Sequence, residues 1–273
     1  MKIENSQDFF ESEPPQTEFL LLFKVSSYER LLQMQKGLLY MNSLDYFSNL
    51  KDEESLALRV DELEEIYGIL RAGPNEKGFT TLSLKINNGE EMDLGSEAIL
   101  TAKFPRPKNT MLFCMGALAD GQDGVIPGEI DNQIIFDKRF LEFGSHMLLI
   151  NNSTEFSKRI NTALAQEASA ASAFGSKFFH DGYGLVGYKD LENYSGAIGL
   201  YTKDSKYSWQ MEFRISFGVE SRYLNSKGAF EFNVGDLTDI SQIIPVQALI
   251  DEPMRVKRRT FVKVGDTYKQ ISG

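Results

Sequence analysis

One cysteine and two histidines are spread over 273 residues, and each scarcity removes a class of chemistry. Cys114 has no partner for an internal disulfide, and its setting, Met111-Leu112-Phe113-Cys114-Met115, is that of a thiol filling core space. His146 and His180 stand far apart in the sequence, and with a single cysteine they are too few nitrogen and sulfur ligands for a zinc site, so no metal is expected. No apolar run reaches the roughly 18 residues of a membrane-spanning helix, and Met1-Lys2-Ile3-Glu4-Asn5 is no apolar leader. A cytoplasmic protein that meets no membrane is the expectation. Neither G-x-S-x-G nor a Walker A sequence is present. Gly182-Tyr183-Gly184-Leu185-Val186-Gly187 has dinucleotide-loop spacing, but Leu185 to Tyr188 reads as strand where such a loop needs a helix, so a turn between strands is expected. His180, beside Asp181, has no nucleophile motif to serve and reads as a surface or turn histidine.

What is present is ample apolar material, 42% of the chain with 12% aromatic, enough for a packed core. The net charge of −10 belongs to the front half: residues 1–136 hold 12 Lys and Arg against 23 Asp and Glu, residues 137–273 hold 17 against 16. A broad basic footprint for duplex nucleic acid is therefore missing. The local exception, Arg255-Val256-Lys257-Arg258-Arg259, reads as a solvated basic segment, with an acidic partner or a nucleic acid as the other reading.

The pattern along the chain predicts a single α+β domain over residues 18–250, preceded by a flexible polar arm, 1–17, and followed by a basic C-terminal segment, 251–273. Phe19 to Val25 reads as a buried strand. Ser26-Ser27-Tyr28-Glu29 is a capping box opening a helix from Tyr28 to Lys36 that Gly37 closes, and Leu38 to Asn42 is a second strand. Leu56, Val60, Leu63, Tyr67 and Leu70 have helical spacing, which predicts an amphipathic helix over 53–72. Strands are expected at Thr80–Ile86, Ala98–Phe104, Thr110–Met115, Met147–Ile150, Tyr183–Tyr188, Ala197–Tyr201, Trp209–Phe217 and Ala229–Asn233, with an alanine-rich helix from about Asn152 to Ala173 ended by Gly175.

Within the Trp209–Phe217 segment, Trp209, Met211, Phe213, Ile215 and Phe217 alternate with Gln210, Glu212, Arg214 and Ser216. That period of two predicts a strand with one buried face, and puts Gln210 and Glu212 on the same side. A carboxylate and an amide fixed side by side can grip a sugar hydroxyl and orient a nucleophile. The polar face of a half-exposed antiparallel strand carries the same residue types for solvation alone, and that reading stands beside it.

Tyr207, the Lys203-Asp204-Ser205-Lys206 turn and Gln210-x-Glu212 together resemble the catalytic loop and strand of mono-ADP-ribosyltransferases. The resemblance implies that Glu212 is catalytic, holding the ribose of NAD near an oxocarbenium-like centre, that Gln210 orients the acceptor, and that Tyr207 and Trp209 are acceptor-binding. It also implies NAD contacts from the first two strands, at Lys24, Ser26, Tyr40 and Asn42, and from Arg214. Lys24 stands where the family has His or Arg, and the Ser-Thr-Ser triplet is missing. Packing is an equal reading of Tyr40, helix capping is a stronger reading of Ser26 than any catalytic role, and a surface salt bridge is at least an equal reading of Arg214. Leu38 to Phe47 and Gln210 to Arg214, with Gly235 to Ile240 following, also resemble a bacterial family of unknown function with a C-terminal Q-x-E-F-R strand. The implied fold is a split antiparallel or mixed sheet flanked by helices. The implied activity is transfer of ADP-ribose to RNA, DNA or protein, as a toxin or anti-phage effector with an antitoxin or inhibitory partner. A non-catalytic binding module of phage or defence origin with the same fold is the alternative.

Overall fold

The computed structural model describes residues 18–49, 63–75, 78–120, 126, 128–171, 176–255, 260–264 and 267–272. The expected arm at 1–17, the 53–62 part of the acidic helix with Leu56 and Val60, Gly175, and the basic residues Lys257 to Arg259 lie outside them. The chain is a sheet-rich α+β protein organised on one eight-stranded sheet.

Glu18–Ser26 forms β1, Tyr28–Gln35 α1, and Leu38–Ser43 β2, close to the sequence reading. The helix cap is Ser27, whose hydroxyl accepts from the Arg30 amide, while Ser26 remains in the strand opposite His146. Gly37 turns the chain back at φ +103°, where a Cβ would stand 2.4 Å from the Gly235 carbonyl oxygen, so glycine is required for both conformation and space. Leu44–Ser48 is a short helix, α2.

The central strand is β3, Thr110–Asp120, longer than expected. His146–Ile150 is β4, Ser153–Ala171 is helix α3 with the Asn152 side chain accepting from the Glu155 amide at its start, and Phe178–Leu185 is β5. Glu212–Val219 is β6, Phe230–Asn233 β7, Ser241–Pro245 β8, and Val246–Asp251 helix α4. The sheet runs β5-β6-β3-β1-β4-β8, with every pairing antiparallel, and β2 joins the same edge of β3 that β1 uses, carrying β7 outside it. β1 pairs with β3 as far as Phe23 opposite Gly116, and β2 begins at Asn42 opposite Leu112. The sheet therefore divides at residues 113–115. Lys24 sits in the division: its ammonium donates to the Cys114 carbonyl and lies 4.9 Å from the Phe113 ring.

One face packs on α1 and α3 through Leu31, Met34, Phe156 and Ile160, which meet Met111, Phe113, Phe213, Ile215, Phe217, Phe230 and Phe232. Against the other face of β1 and β4, Phe23, Met147 and Leu149 meet Phe136, Phe140 and the α4 residues Val246 and Leu249. Gly116 makes room here, since a Cβ would lie 2.1 Å from the Phe23 ring. The rest of that face, over β5 and β6, is roofed by residues 63–71 and 186–210, whose own small core is Ile66, Ile69, Leu191 and Ile198.

Four expectations are corrected here. Residues 66–71 are a strand, paired with 99–103 and with 196–197, where a helix to residue 72 is expected. A register irregularity between Ile66 and Gly68 leaves buried Ile66 and Ile69 three apart, which copies a helical period. Gly182 and Gly184 lie inside β5 rather than in a turn, and His180, in the same strand, is half-buried with its Nε2 2.9 Å from the Ser216 hydroxyl. The Ala197–Tyr201 strand is reduced to Gly196–Ala197. In the segment read as a basic tail, Met254–Arg255 pairs with Gln133–Ile134, and 260–264 with 267–272 forms a hairpin.

Candidate functional site

The site begins with a turn that runs past the expected loop into the first residues of the expected Trp209–Phe217 strand. Ser205–Gln210 is a 3₁₀ helix capped by the Asp204 carboxylate, which accepts from the Lys206 amide at 3.0 Å, and Met211 ends it in the left-handed region at φ 46°, ψ 48°. A methionine there carries strain of about 1 kcal/mol or more, offset by the Ala117 amide donating to the Met211 carbonyl at 2.7 Å. The left-handed residue swings the chain round, so Gln210, though outside β6, meets Glu212. Both reach one cation: the Lys203 ammonium donates to Gln210 Oε1 and to Glu212 Oε2, each at 2.9 Å.

β6 is buried along its whole length, against the expected half-exposed strand. Phe213, Ile215 and Phe217 enter the helix-side core, and Glu212, Arg214 and Ser216 lie under the 63–71 and 186–210 roof. Arg214 closes the network, donating from Nε to Glu212 Oε1 at 2.5 Å, from Nη1 to the Leu200 carbonyl at 2.7 Å, and pairing through Nη2 with Glu64 at 2.7 Å. Two acids and two bases, each side chain at most 7% exposed, form a neutral buried cluster. Burial alone would raise the Glu212 pKa, but Arg214 and Lys203 more than reverse this and hold it well below the usual carboxylate range. Burial would likewise lower Lys203, and the Glu212 charge turns the shift upward.

Around the cluster, the Glu212 amide donates to the Tyr188 hydroxyl at 2.8 Å, and burial with the Glu212 charge pushes that phenol up to about 12. Tyr201 contacts the Ser216 hydroxyl at 2.7 Å and is raised chiefly by burial. The Cys114 thiol is also pushed up to about 12, first by burial and then by Glu212, which makes it inert rather than nucleophilic.

Gln210, Glu212, Arg214 and Tyr207 are thus brought together, Tyr207 having its ring 5.0 Å from the Lys203 ammonium. The other sequence-derived candidates lie apart. Phe23 shares Gly116 with Glu212, so Lys24, the next residue along β1, faces the opposite side of the sheet. Ser26 is at the end of β1, and Tyr40 is 39% exposed on β2 opposite Glu231. Asn42, opposite Leu112, is on the Arg214 side of the sheet because Leu112 and Cys114 face Ser216 and Arg214 across β3 and β6. Trp209 packs with Phe140 and Phe143 beneath the Arg139 guanidinium, 4.1 Å from its ring, and anchors the turn. Nothing in the sequence marks Lys203, Glu64 or Tyr188: Lys203 belongs to the turn, and Glu64 lies in a stretch with helical spacing.

Both Glu212 oxygens are engaged within the protein and its side chain is 6% exposed. The broad depressions along α3, about 920 Å³, and beside Arg159 and Asp236, about 670 Å³, contain none of these residues. Among the described residues no group of three His, Cys, Asp or Glu is placed to hold a metal, and no helix is long and apolar enough to cross a membrane. Fold and cluster together define a sheet-rich α+β protein with a buried, charge-balanced Gln-x-Glu site. Comparison with protein-family models, curated proteins and solved structures finds no match for the chain.

Proposed function

We propose that the chain is a mono-ADP-ribosyltransferase that takes ADP-ribose from NAD to a macromolecular acceptor, with Glu212 as its catalytic carboxylate and Gln210 as the acceptor-orienting amide. The observation that carries this reading is the convergence of Gln210 Oε1 and Glu212 Oε2 on a single positive charge at 2.9 Å each. Oxygens aimed at a fixed cation are the donor set that a developing ribosyl cation needs. The left-handed Met211 between them supports it, because backbone strain of this kind gathers at functional turns. Tyr207 on the turn and Glu212 as the first residue of the strand agree with the loop-and-strand order of the family.

The test is labelled NAD added to purified protein with cell lysate. Label is expected on RNA, DNA or protein, with nuclease and protease digestion separating the acceptor classes, and Glu212→Gln, checked for an intact fold by circular dichroism, is expected to abolish it. Labelling that survives in folded Glu212→Gln rejects the role given to Glu212. The second reading, a binding module without catalysis, is favoured by the full engagement of the Glu212 carboxylate. Absence of any calorimetric heat with millimolar NAD, in both the native chain and a folded variant lacking the Lys203 charge, selects it.

A further inference from the structure

The Lys203 ammonium lies in a cage: Gln210 and Glu212 oxygens at 2.9 Å, and the Tyr207 ring 5.0 Å away. An amide oxygen, a carboxylate oxygen and an aromatic face are how proteins hold an ammonium or other organic cation. The lysine comes from outside the turn and strand that build the cage. It is carried by Thr202–Asp204, three residues paired in parallel with Gly187–Lys189, in the roof over the sheet. The lysine stands just ahead of the turn, in the same roof as Tyr207 and Gln210, while Glu212 belongs to the sheet beneath. The nicotinamide ring of NAD also carries a positive charge, on its pyridinium nitrogen, and the ribose attached to it gains positive character as the glycosidic bond breaks.

We infer that Lys203 is an internal occupant of a cation site formed by Gln210, Glu212 and Tyr207, and that its withdrawal with the 202–204 strand opens that site to a charged ligand. The identification of that ligand as NAD rests on the reading of the function above; the cation site itself does not. A ligand that binds only the withdrawn state has its affinity reduced by the fraction of chains in that state. Lys203 therefore acts as a built-in brake, and the roof strand that carries it is where a regulator would act.

Two measurements separate the parts. Lys203→Ala lacks the three carbons and the ammonium that propylammonium supplies. Its melting temperature, or its recovery of fold if it is unfolded alone, is expected to rise with propylammonium chloride and not with sodium chloride at equal ionic strength, while the native chain responds equally to both. No selective rise overturns the cation site. The second measurement is NAD consumption by Lys203→Gln, which keeps a hydrogen-bond donor but no charge, and about a tenfold or greater gain over the native chain is expected. A native chain that already consumes NAD, with no gain in Lys203→Gln, overturns the brake and leaves the transferase reading standing. Amine rescue with no NAD consumption by any folded variant supports the cation site and rejects the transferase reading.

Discussion

At the scale of single residues, Arg214 is the member of the cluster most sensitive to substitution, its side chain being the least exposed of the four at 3%. It faces Glu212 and Glu64 at once and holds the Leu200 carbonyl. Arg214→Met takes the guanidinium from the buried Glu64 and Glu212 carboxylates, with Lys203 remaining on Glu212, and a loss of about 3–5 kcal/mol is expected in urea unfolding. Lys36→Ala, which removes an ion pair with Asp236 that is more than half exposed on both sides, is expected to cost under about 1 kcal/mol in the same measurement. The cluster also dictates a pH dependence. Glu212 is held below its ordinary range, so its contribution is present above the unfolded pKa of about 4.3 and is lost as pH falls towards its folded value. Lys203 is raised, so its contribution is present below about 10.4 and is lost as pH rises through its folded value. The urea midpoint is expected to be level between these limits as far as this cluster governs it. The acid-side fall should be shallower in Glu212→Gln, and an unchanged acid limb counts against the depressed carboxylate. Glu212 and Gln210 were legible as a pair from residue type and spacing. Their partners Lys203 and Glu64 were not, because each lies in a different segment and only the fold brings them to β6.

At the scale of elements, what was legible is what local chemistry decides. β1, α1, β2, α3 and β7 have their own apolar period, cap or glycine stop, and the structure agrees with the reading to within a few residues. Two elements fail for identifiable reasons. The last two residues of the 205–210 turn, Trp209 and Gln210, open an alternating pattern, but Trp209 is held by Phe140, Phe143 and Arg139, and Met211 is forced left-handed, so tertiary contacts override the period of two there. The 66–71 strand carries an irregularity that makes its buried residues fall three apart. Where a glycine decides an element, the consequence is testable. Gly37 ends α1 at φ +103° with its missing Cβ pointed into the Gly235 backbone. Gly37→Ala meets both an unfavourable conformation and a collision with backbone rather than a yielding side chain, and an expected loss of about 2 kcal/mol or more follows. Gly235→Ala, with φ +83° but nothing within 4 Å of the new Cβ, isolates the conformational part, and its smaller cost in the same unfolding experiment is the control.

At the scale of the whole molecule, stability is expected to divide between the sheet and the strands that extend from the roof. β3 and β6 pair over seven residues, with a helix-packed core on one face, and their amides should exchange with solvent only on global unfolding. Ser83–Lys85 and Glu91–Asp93 form a hairpin in which all six residues are exposed, including the apolar Leu84 and Met92. Such a hairpin contributes little burial, and two strands alone are marginal in water. The hairpin is closed at its base by the Leu94 amide donating to the Leu82 carbonyl at 3.0 Å, so residues 83–93 can be removed and the ends joined by a short Gly-Ser turn without stretching the chain. A closure of that length changes loop entropy by under about 1 kcal/mol. The deletion is therefore expected to shift the melting temperature by no more than about 4 °C, and to leave both the Lys203 amine rescue and any NAD consumption as in the parent. A cooperative loss of the sheet on deletion would mean that these strands are part of the core. Loss of NAD consumption with the sheet intact would instead make the exposed apolar hairpin part of the acceptor surface, and would separate recognition of the acceptor from the chemistry assigned to Glu212.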